Sequence, residues 1–406
     1  MTAALFIFLL VYLGMMLGRI PGLAVDRTGF ALLGAVALVA LGEVSPEEAW
    51  RAVDVPTISL LLGLMVVSAQ FRLGGFYALV TERLGAAPLA PSGLLALLMA
   101  VAGGLSALLT NDIVCLAMAP LLIEGCERRG LHPLPYLLGL ACAANIGSAA
   151  TLVGNPQNIL IGQALNTPFA CYTLEAAPVV LLAMAAAWAI LAWMYRGKWQ
   201  SQLTPATVEH PPFDAWQSLK GCLVLGGAVV GFLVPGLPRE IVALSAAGLL
   251  LISRKMHTRD MLGLVDWHLL VLFAGLFVVN HAFAESGALA AVMGAFHGAG
   301  IPLHEPAWLF GASAILSNLV SNVPAVMLLL PAATHPDAAL ILALSSTLVG
   351  NLIVVSSIAN IIVIEQARLV GVKVSWADHA RAGVPVTVAS LIIAAGWIAL
   401  LFAWRG

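Results

Sequence analysis

Charge is what this sequence has least of. Of its 406 residues, 18 are Lys or Arg and 20 are Asp or Glu, 9% in all, where a soluble domain carries about a quarter. So few charges cannot solvate a chain of this length. With 61% hydrophobic residues and a mean hydropathy of +1.01, the solvent is predicted to be lipid. A net charge of −2 says nothing about partners, and no basic stripe suggests a nucleic acid, so none is expected. The five cysteines (Cys115, Cys126, Cys142, Cys171, Cys222) are odd in number and fall in apolar stretches. No pair has zinc or redox spacing, so they read as small core residues. The opening "MTAALFIFLL" lacks a basic n-region and a small-residue cleavage site, which predicts a first span rather than a signal peptide. No nucleotide-binding pattern is present, so no cofactor is expected and the energy for any transport must come from an ion gradient.

What is there is a series of apolar runs from Ala3 to Trp404. Windows between charges and Pro/Gly breaks predict spans near 3–19, 28–42, 56–72, 134–166, 175–195, 217–234, 239–253, 266–284, 338–366 and 383–404. Those at 134–166 and 338–366 are too long, and too polar in the middle, for simple helices. Two further segments, 92–126 and 306–333, each carry a polar break. Their second arms, 113–125 and 323–333, are too short to cross about 30 Å of hydrocarbon at about 1.5 Å per residue, which predicts re-entrant hairpins. Placing the 20–27 loop inside puts fifteen of the eighteen Lys and Arg in the cytoplasm, Arg19 among them. Only Arg51, Arg239 and Arg405 fall outside. Both termini then face outward.

The chain also repeats. Residues 53–80 set over 265–292 without gaps match at Val53, Asp54, Leu60, Gly63, Leu64, Val66, Val67, Phe71, Gly75, Ala78 and Val80. "IPGL" at 20–23 likewise answers "VPGLP" at 234–238. The expected organisation is a first repeat over 1–196, a cytoplasmic linker over 197–216 with Pro205, Pro211 and Pro212, and a second repeat over 217–406. Five crossings per repeat is an odd number, so the second lies inverted, an arrangement typical of secondary transporters. The expected fold class is an all-α polytopic membrane protein of two inverted five-span repeats, each with a re-entrant hairpin and a broken helix.

Polar residues recur at matched places. Ser106, Thr110 and Asn111 in "SALLTNDIVC" fall on Ser317, Ser321 and Asn322 in "SNLVSNVPAV". The broken spans add "TLVGNPQN" (151–158) and "VSSIAN" (355–360), with Asn158 over Asn360. Unwound carbonyls, hydroxyls and amides form a neutral oxygen shell suited to a hard cation such as sodium. Asn111–Asp112, Asn322–Pro324 and Asn155–Pro156 each read as a cap before a short helix, whose N–H groups would face an anion. Ser, Thr and Asn in membrane helices also serve merely to cap or to bond a neighbour. Four matched breaks weigh against that reading. Asp112, opposite Val323, is a candidate proton carrier or cation ligand, or a capping carboxylate. Asp54 and Asp266 match each other at span ends and read as interfacial caps.

At "SALLTNDIVCLAMAPLL", "GNPQN" and "SNLVSNVP" the sequence resembles the ion transporter superfamily over 3–404. That group includes divalent anion:sodium symporters, citrate-transporter-like permeases, arsenical pump membrane proteins and a class of sodium/proton antiporters. The resemblance implies an elevator-type homodimer in a prokaryotic inner membrane. The scaffold would be formed by 3–42 and 217–253, and the hairpins with the broken spans would move. It further implies one sodium site at Ser106, Thr110, Asn111 and carbonyls near Gly154, and another at Ser317, Ser321, Asn322 and carbonyls near Ser356. The anionic substrate would lie between them, at Asn111, Asn155, Pro156, Asn158, Asn322, Pro324, Ser357 and Asn360. The symporters carry Thr after the tip Asn, where this chain has Asp112 and Val323. The "TND" form is closer to the arsenical-pump and antiporter branches and makes proton coupling plausible.

The sequence therefore predicts a sodium- or proton-coupled carrier of a small anionic solute of dicarboxylate or citrate type, and no enzyme. Arsenite or metalloid efflux and sodium/proton antiport are the alternatives. A more distant one is an intramembrane serine protease, on "GASA" (311–314) with Ser313. The absence of a His at comparable depth in a later span counts against it.

Overall fold

The computed structural model describes residues 3–18, 24–200 and 211–405. Arg19, the "IPGL" segment at 20–23 and Pro205 of the linker lie outside the described residues. The first half contains α1 (Ala3–Leu17), α2 (Arg27–Ala40), the short α3 (Pro46–Ala52), α4 (Val55–Leu73), an arm α5 (Phe76–Ala86), a hairpin of α6 (Pro91–Leu108) and α7 (Asn111–Arg128), the broken pair α8 (Pro133–Ser148) and α9 (Pro156–Ala164), and α10 (Phe169–Met194). The second half follows the same order. It has α11 (Ala215–Leu233), α12 (Arg239–Leu251), the short α13 (Thr258–Gly263), α14 (Trp267–Glu285), the arm α15 (Ala288–Gly298), the hairpin α16 (Pro306–Val320) and α17 (Asn322–Leu329), the broken pair α18 (Ala338–Leu348) and α19 (Ile358–Leu369), and α20 (Trp376–Arg405). Among the described residues no strand is formed. Helices α4, α6, α10, α11, α14 and α20 are each long and apolar enough to cross a membrane. Leu174, Leu181 and Ile392 on α10 and α20 are exposed and apolar, the surface that lipid requires. This is a multi-pass helical membrane protein.

The helix starts follow from local chemistry. Asp54 accepts from Thr57 N at 3.1 Å and Asp266 from Leu269 N at 3.0 Å, so each caps its helix as the sequence suggested. At Gly75 and Gly287, 212 positions apart, φ is 68° and 74°. That left-handed conformation turns the chain from long helix into arm, and glycine adopts it without steric penalty.

Helix α4 packs on α12, the second helix of the other half, and α14 packs on α2 in the same way. A Cβ at Gly63 of α4 would stand 2.6 Å from the Ala243 carbonyl carbon on α12. One at Gly275 of α14 would stand 2.8 Å from the Ala31 carbonyl carbon on α2. Both the glycines and their targets lie 212 positions apart. Around the site, α8 is buried along nearly its whole length, and Gly147 meets the backbone of Gly103 on α6 with no room for a side chain. Two span readings need correction. Helix α7 has 18 residues, Pro120 within it, and is longer than the expected arm at 113–125. The added residues are Asn111 and Asp112 at its start and Cys126, Glu127 and Arg128 at its end, mostly polar residues that an apolar window leaves out. The arms α5 and α15 were not anticipated at all.

Candidate functional site

The hairpin tips meet the breaks in the second helix pairs. At the first tip, Asn111 N donates to the Gly154 carbonyl at 3.2 Å. Gly154 itself lies against the backbone of Ser148 and the Ser106 carbonyl, where a Cβ would come within 2.8 Å of that oxygen. Three side-chain oxygens here, Ser106 Oγ, Thr110 Oγ1 and Asn111 Oδ1, are buried with no partner among the described residues. Orphaned polar groups of this kind are costly unless a ligand completes them. At the second tip Ser317 Oγ is likewise buried without a partner. Ser321 has φ 82° and ψ 159°, a region that belongs almost entirely to glycine and costs a serine about 1–3 kcal/mol. The Asn322 amide is oriented by its neighbours, its nitrogen donating to the Ser346 and Ser356 carbonyls (3.2 and 3.3 Å) and its oxygen accepting from Gln157 Nε2 (3.3 Å). Ser356 Oγ donates to Asn318 Oδ1.

Between the tips lies a buried network of neutral polar groups centred on Asn145 of α8. Asn145 Oδ1 accepts from Asn111 Nδ2 at 3.2 Å and from Ser357 Oγ at 2.8 Å. Its Nδ2 donates to Asn351 Oδ1 at 2.8 Å and Asn360 Oδ1 at 3.0 Å. Asn360 Nδ2 donates in turn to the Gly350 carbonyl at 2.8 Å. A second set surrounds the start of α9. Asn155 Oδ1 caps it through Asn158 N at 2.8 Å, and its Nδ2 reaches Ser148 Oγ and Thr347 Oγ1. Asn158 Nδ2 spans the break to the Thr151 carbonyl at 3.0 Å and contacts Tyr172 OH at 3.4 Å. Pro156 occupies the first turn of α9, and the Pro324 carbonyl on α17 lies 3.5 Å from Tyr12 OH of α1.

Two cavities open along the second helices of the broken pairs. The larger, about 760 Å³, is bounded by α1, α2 and α14 on one side and by α19 and residues 354–355 on the other. Three polar groups on its rim bond to their own side. Arg27 Nε donates to the Met15 carbonyl (3.2 Å), Thr28 Oγ1 to the His268 carbonyl (3.3 Å), and Glu365 pairs with Arg368 (3.7 Å). The smaller, about 410 Å³, holds Asp54, Gln163, Arg239 and Glu240, and its two walls are tied together. Arg239 Nη2 donates to the Gly162 carbonyl at 2.8 Å, and Gln163 Nε2 to Glu240 Oε2 at 3.2 Å.

Several sequence expectations need correction. Asn111 and Asn322 do not cap; Thr110 and Ser321 hold the cap positions, without side-chain capping bonds, and the two amides turn into the network. Asp112 does not cap either. It is partly exposed in the first turn of α7, with no hydrogen bond or ion pair among the described residues. A buried histidine does exist in the last helix. His379 Nε2 lies 3.2 Å from the Asn351 carbonyl and 3.4 Å from Asn360 Nδ2, while Ser313 Oγ is partnerless, so no Ser–His pair forms. Asn145, Gln157, Tyr172, Thr347 and Asn351 were not anticipated. One signal was present, since "TLVGN" stands at both 151–155 and 347–351. Among the described residues no group of three or more His, Cys, Asp or Glu gathers to hold a metal.

Comparison with known proteins agrees with this architecture. The crystal structure of the Alcanivorax borkumensis YdaH transporter, described as having an unusual topology, is similar over 99% of this chain and 96% of that one, with a TM-score of 0.57 and 15% identity, a likeness of fold. An uncharacterized transporter of Mycobacterium tuberculosis is 31% identical, covering 93% of this chain and 94% of its own. A silicon efflux transporter of Oryza sativa subsp. japonica is 28% identical over 91% of each. The sequence model of the Citrate transporter family matches residues 5–349. The chain belongs to the Citrate transporter family and is a membrane transporter, not an enzyme.

Proposed function

We propose that the protein is a secondary carrier that couples a sodium or proton gradient to movement of a small anionic solute of citrate or dicarboxylate type. The observation that carries this reading is the trio of buried, partnerless oxygens at the first tip, Ser106 Oγ, Thr110 Oγ1 and Asn111 Oδ1, beside Gly154. Hydroxyl and amide oxygens gathered without a charged partner suit a hard monovalent cation. Ser317, Ser321, Asn322 and Ser356 form the second half of the arrangement. The substrate would lie near Asn155, Pro156, Asn158, Pro324, Ser357 and Asn360. Asp112 is the group that would carry a coupling proton. The working assembly is a homodimer in lipid, in a prokaryotic inner membrane with both termini outside. Within it the hairpins and broken helices would move against α1, α2, α11 and α12, as in an elevator.

A second reading, efflux of a neutral hydroxylated solute such as arsenite or silicic acid, is favoured by one feature. Every group in the central network is an amide, hydroxyl or carbonyl apart from His379. The rice relative named for silicon efflux points the same way. The test is thermal unfolding of purified protein in potassium and then sodium at fixed ionic strength, followed by citrate, arsenite and silicic acid in turn. A cation held at about 100 times its dissociation constant stabilises by about 2.7 kcal/mol. A sodium shift lost in Asn111→Ala and Asn322→Ala supports the cation sites. A pH-dependent shift lost in Asp112→Asn selects the proton, and no shift with either ion contradicts the reading.

A further inference from the structure

The two atoms left unpaired in the central network have opposite character. Asn111 Oδ1 is an acceptor and Asn351 Nδ2 is a donor, and both are buried without a partner among the described residues. They are the ends of one chain of amides. Asn111 Nδ2 donates to Asn145 Oδ1, and Asn145 Nδ2 donates to Asn351 Oδ1. An amide chain has a direction, because each nitrogen must face the next oxygen.

In this chain the direction is locked from the side. Asn360 Nδ2 is committed to the Gly350 carbonyl, which leaves its Oδ1 facing Asn145. Only Asn145 Nδ2 satisfies that oxygen. Turning the Asn145 amide over would oppose two oxygens there. It would also reverse both free ends, presenting N–H at the cation tip and a carbonyl oxygen at Asn351.

We propose that Asn145 is a positioning residue whose fixed orientation leaves Asn111 Oδ1 free for a cation and makes Asn351 Nδ2 a donor to the anion. Asn351 thereby becomes a substrate contact. This rests on the cation-coupled reading above and adds to it a physical link between the two ligands. Gly350, next to Asn351, borders the point where the free donor would meet the anion. A Cβ there would lie 3.4 Å from Ser357 Cβ, 3.5 Å from the Asn322 amide and 3.8 Å from Asn145 Nδ2, ordinary contact distances around a space of about one methyl group. Residues of the second tip and of both broken helices border it.

The experiment uses the whole purified protein and two separate titrations by thermal shift. One titrates sodium against potassium without added anion, with a pH series as its proton counterpart. The other titrates citrate, succinate and phosphate at saturating cation. In Asn145→Asp, the new carboxylate still accepts from Asn111 and Ser357 but cannot donate. Asn351 then turns its nitrogen inward and the free donor is lost. The expected result is an unchanged or stronger cation response with anion affinity reduced about ten- to hundredfold, the range for a lost hydrogen bond to a charged partner. Asn351→Asp should do the same, because its remaining oxygen still accepts from Asn145. Gly350→Ala should weaken anion binding alone.

A purely structural Asn145 would lower basal stability and both responses together, which overturns the proposal. So does an Asn351→Asp protein that binds the anion normally, or a wild type that responds to the cation but to none of the three anions. A wild type with neither a sodium nor a pH response fails at the earlier step, the cation-coupled reading itself.

Discussion

The two cavities differ in a way the sequence repeat makes interpretable. Arg239 and Glu240 stand 212 positions after Arg27 and Thr28, while Gly162 and Gln163 stand 202 positions before Ile364 and Glu365. At one mouth the first pair is bonded across the gap to the second, guanidinium to carbonyl and carboxylate to amide. At the other, Arg27, Thr28 and Glu365 all bond to their own walls, and the gap widens to about 760 Å³. The crossings of α4 on α12 and of α14 on α2 show no such difference, since Gly63 on Ala243 and Gly275 on Ala31 are equivalent close contacts. The difference between the mouths thus lies in the contacts that the broken-pair helices α9 and α19 make, or fail to make, with α12 and with α1, α2 and α14. A carrier that exposes its site to one side at a time would have this arrangement. Within the proposed function, the tied mouth is the closed one.

The largest expected effect comes from making the tie permanent. With exposed Cys171 and Cys222 replaced by Ser, cysteines at Gln163 and Glu240 joined by a short thiol cross-linker should reduce transport in proteoliposomes to background. Cleaving a reducible linker should restore it. Full activity while cross-linked would mean that this mouth never opens.

Next in size is a blow to the symmetric part. Gly63→Val and Gly275→Val should each destabilise by about 1–3 kcal/mol, the usual cost of overpacking a tight contact, and by similar amounts. Thermal unfolding in detergent reads both. A large loss for one and none for the other would show that the two crossings are not equivalent.

Cutting the tie should be gentler. Arg239→Ala removes one charge-assisted hydrogen bond, worth about 1.5–3 kcal/mol where fully formed, and should shift the population toward the state with the other mouth closed. A cysteine at Ile361, on the wall of the larger cavity, would then react more slowly with an impermeant thiol reagent. The smallest effect is expected from Thr28→Glu with Glu365→Gln, which rebuilds the tied pair at the open mouth. A severalfold slower labelling of the Ile361 cysteine is predicted, in line with about 1 kcal/mol for a new hydrogen bond. Faster labelling would rule out that pairing.

Much of this was legible in the sequence, and the parts that were not share a cause. The spans, the breaks near 150 and 355 and the two hairpins follow from hydropathy interrupted by Gly, Pro and Asn, which is a local signal. The capping roles of Asp54 and Asp266 were legible because a cap acts on its own next turn. Asn145 was not, because it is one polar residue inside a fully buried helix, and its meaning comes from Asn111, Asn351, Ser357 and Asn360 across the molecule. Asn111 and Asn322 look like caps from their own neighbours, but the network takes up both amides. The arms α5 and α15 escaped notice because an apolar helix lying along a bundle and one crossing it have the same composition.

The central claim is that each hairpin tip holds part of a cation site. Calorimetric titration of the purified protein with sodium, alongside measurement of proton uptake, tests it most directly. The account predicts saturable binding of one of the two ions. If sodium, two sites per chain are expected, with Asn111→Ala and Asn322→Ala each losing one; if protons, the uptake should disappear in Asp112→Asn. Binding of neither ion, or sodium binding indifferent to both tip variants, would contradict it.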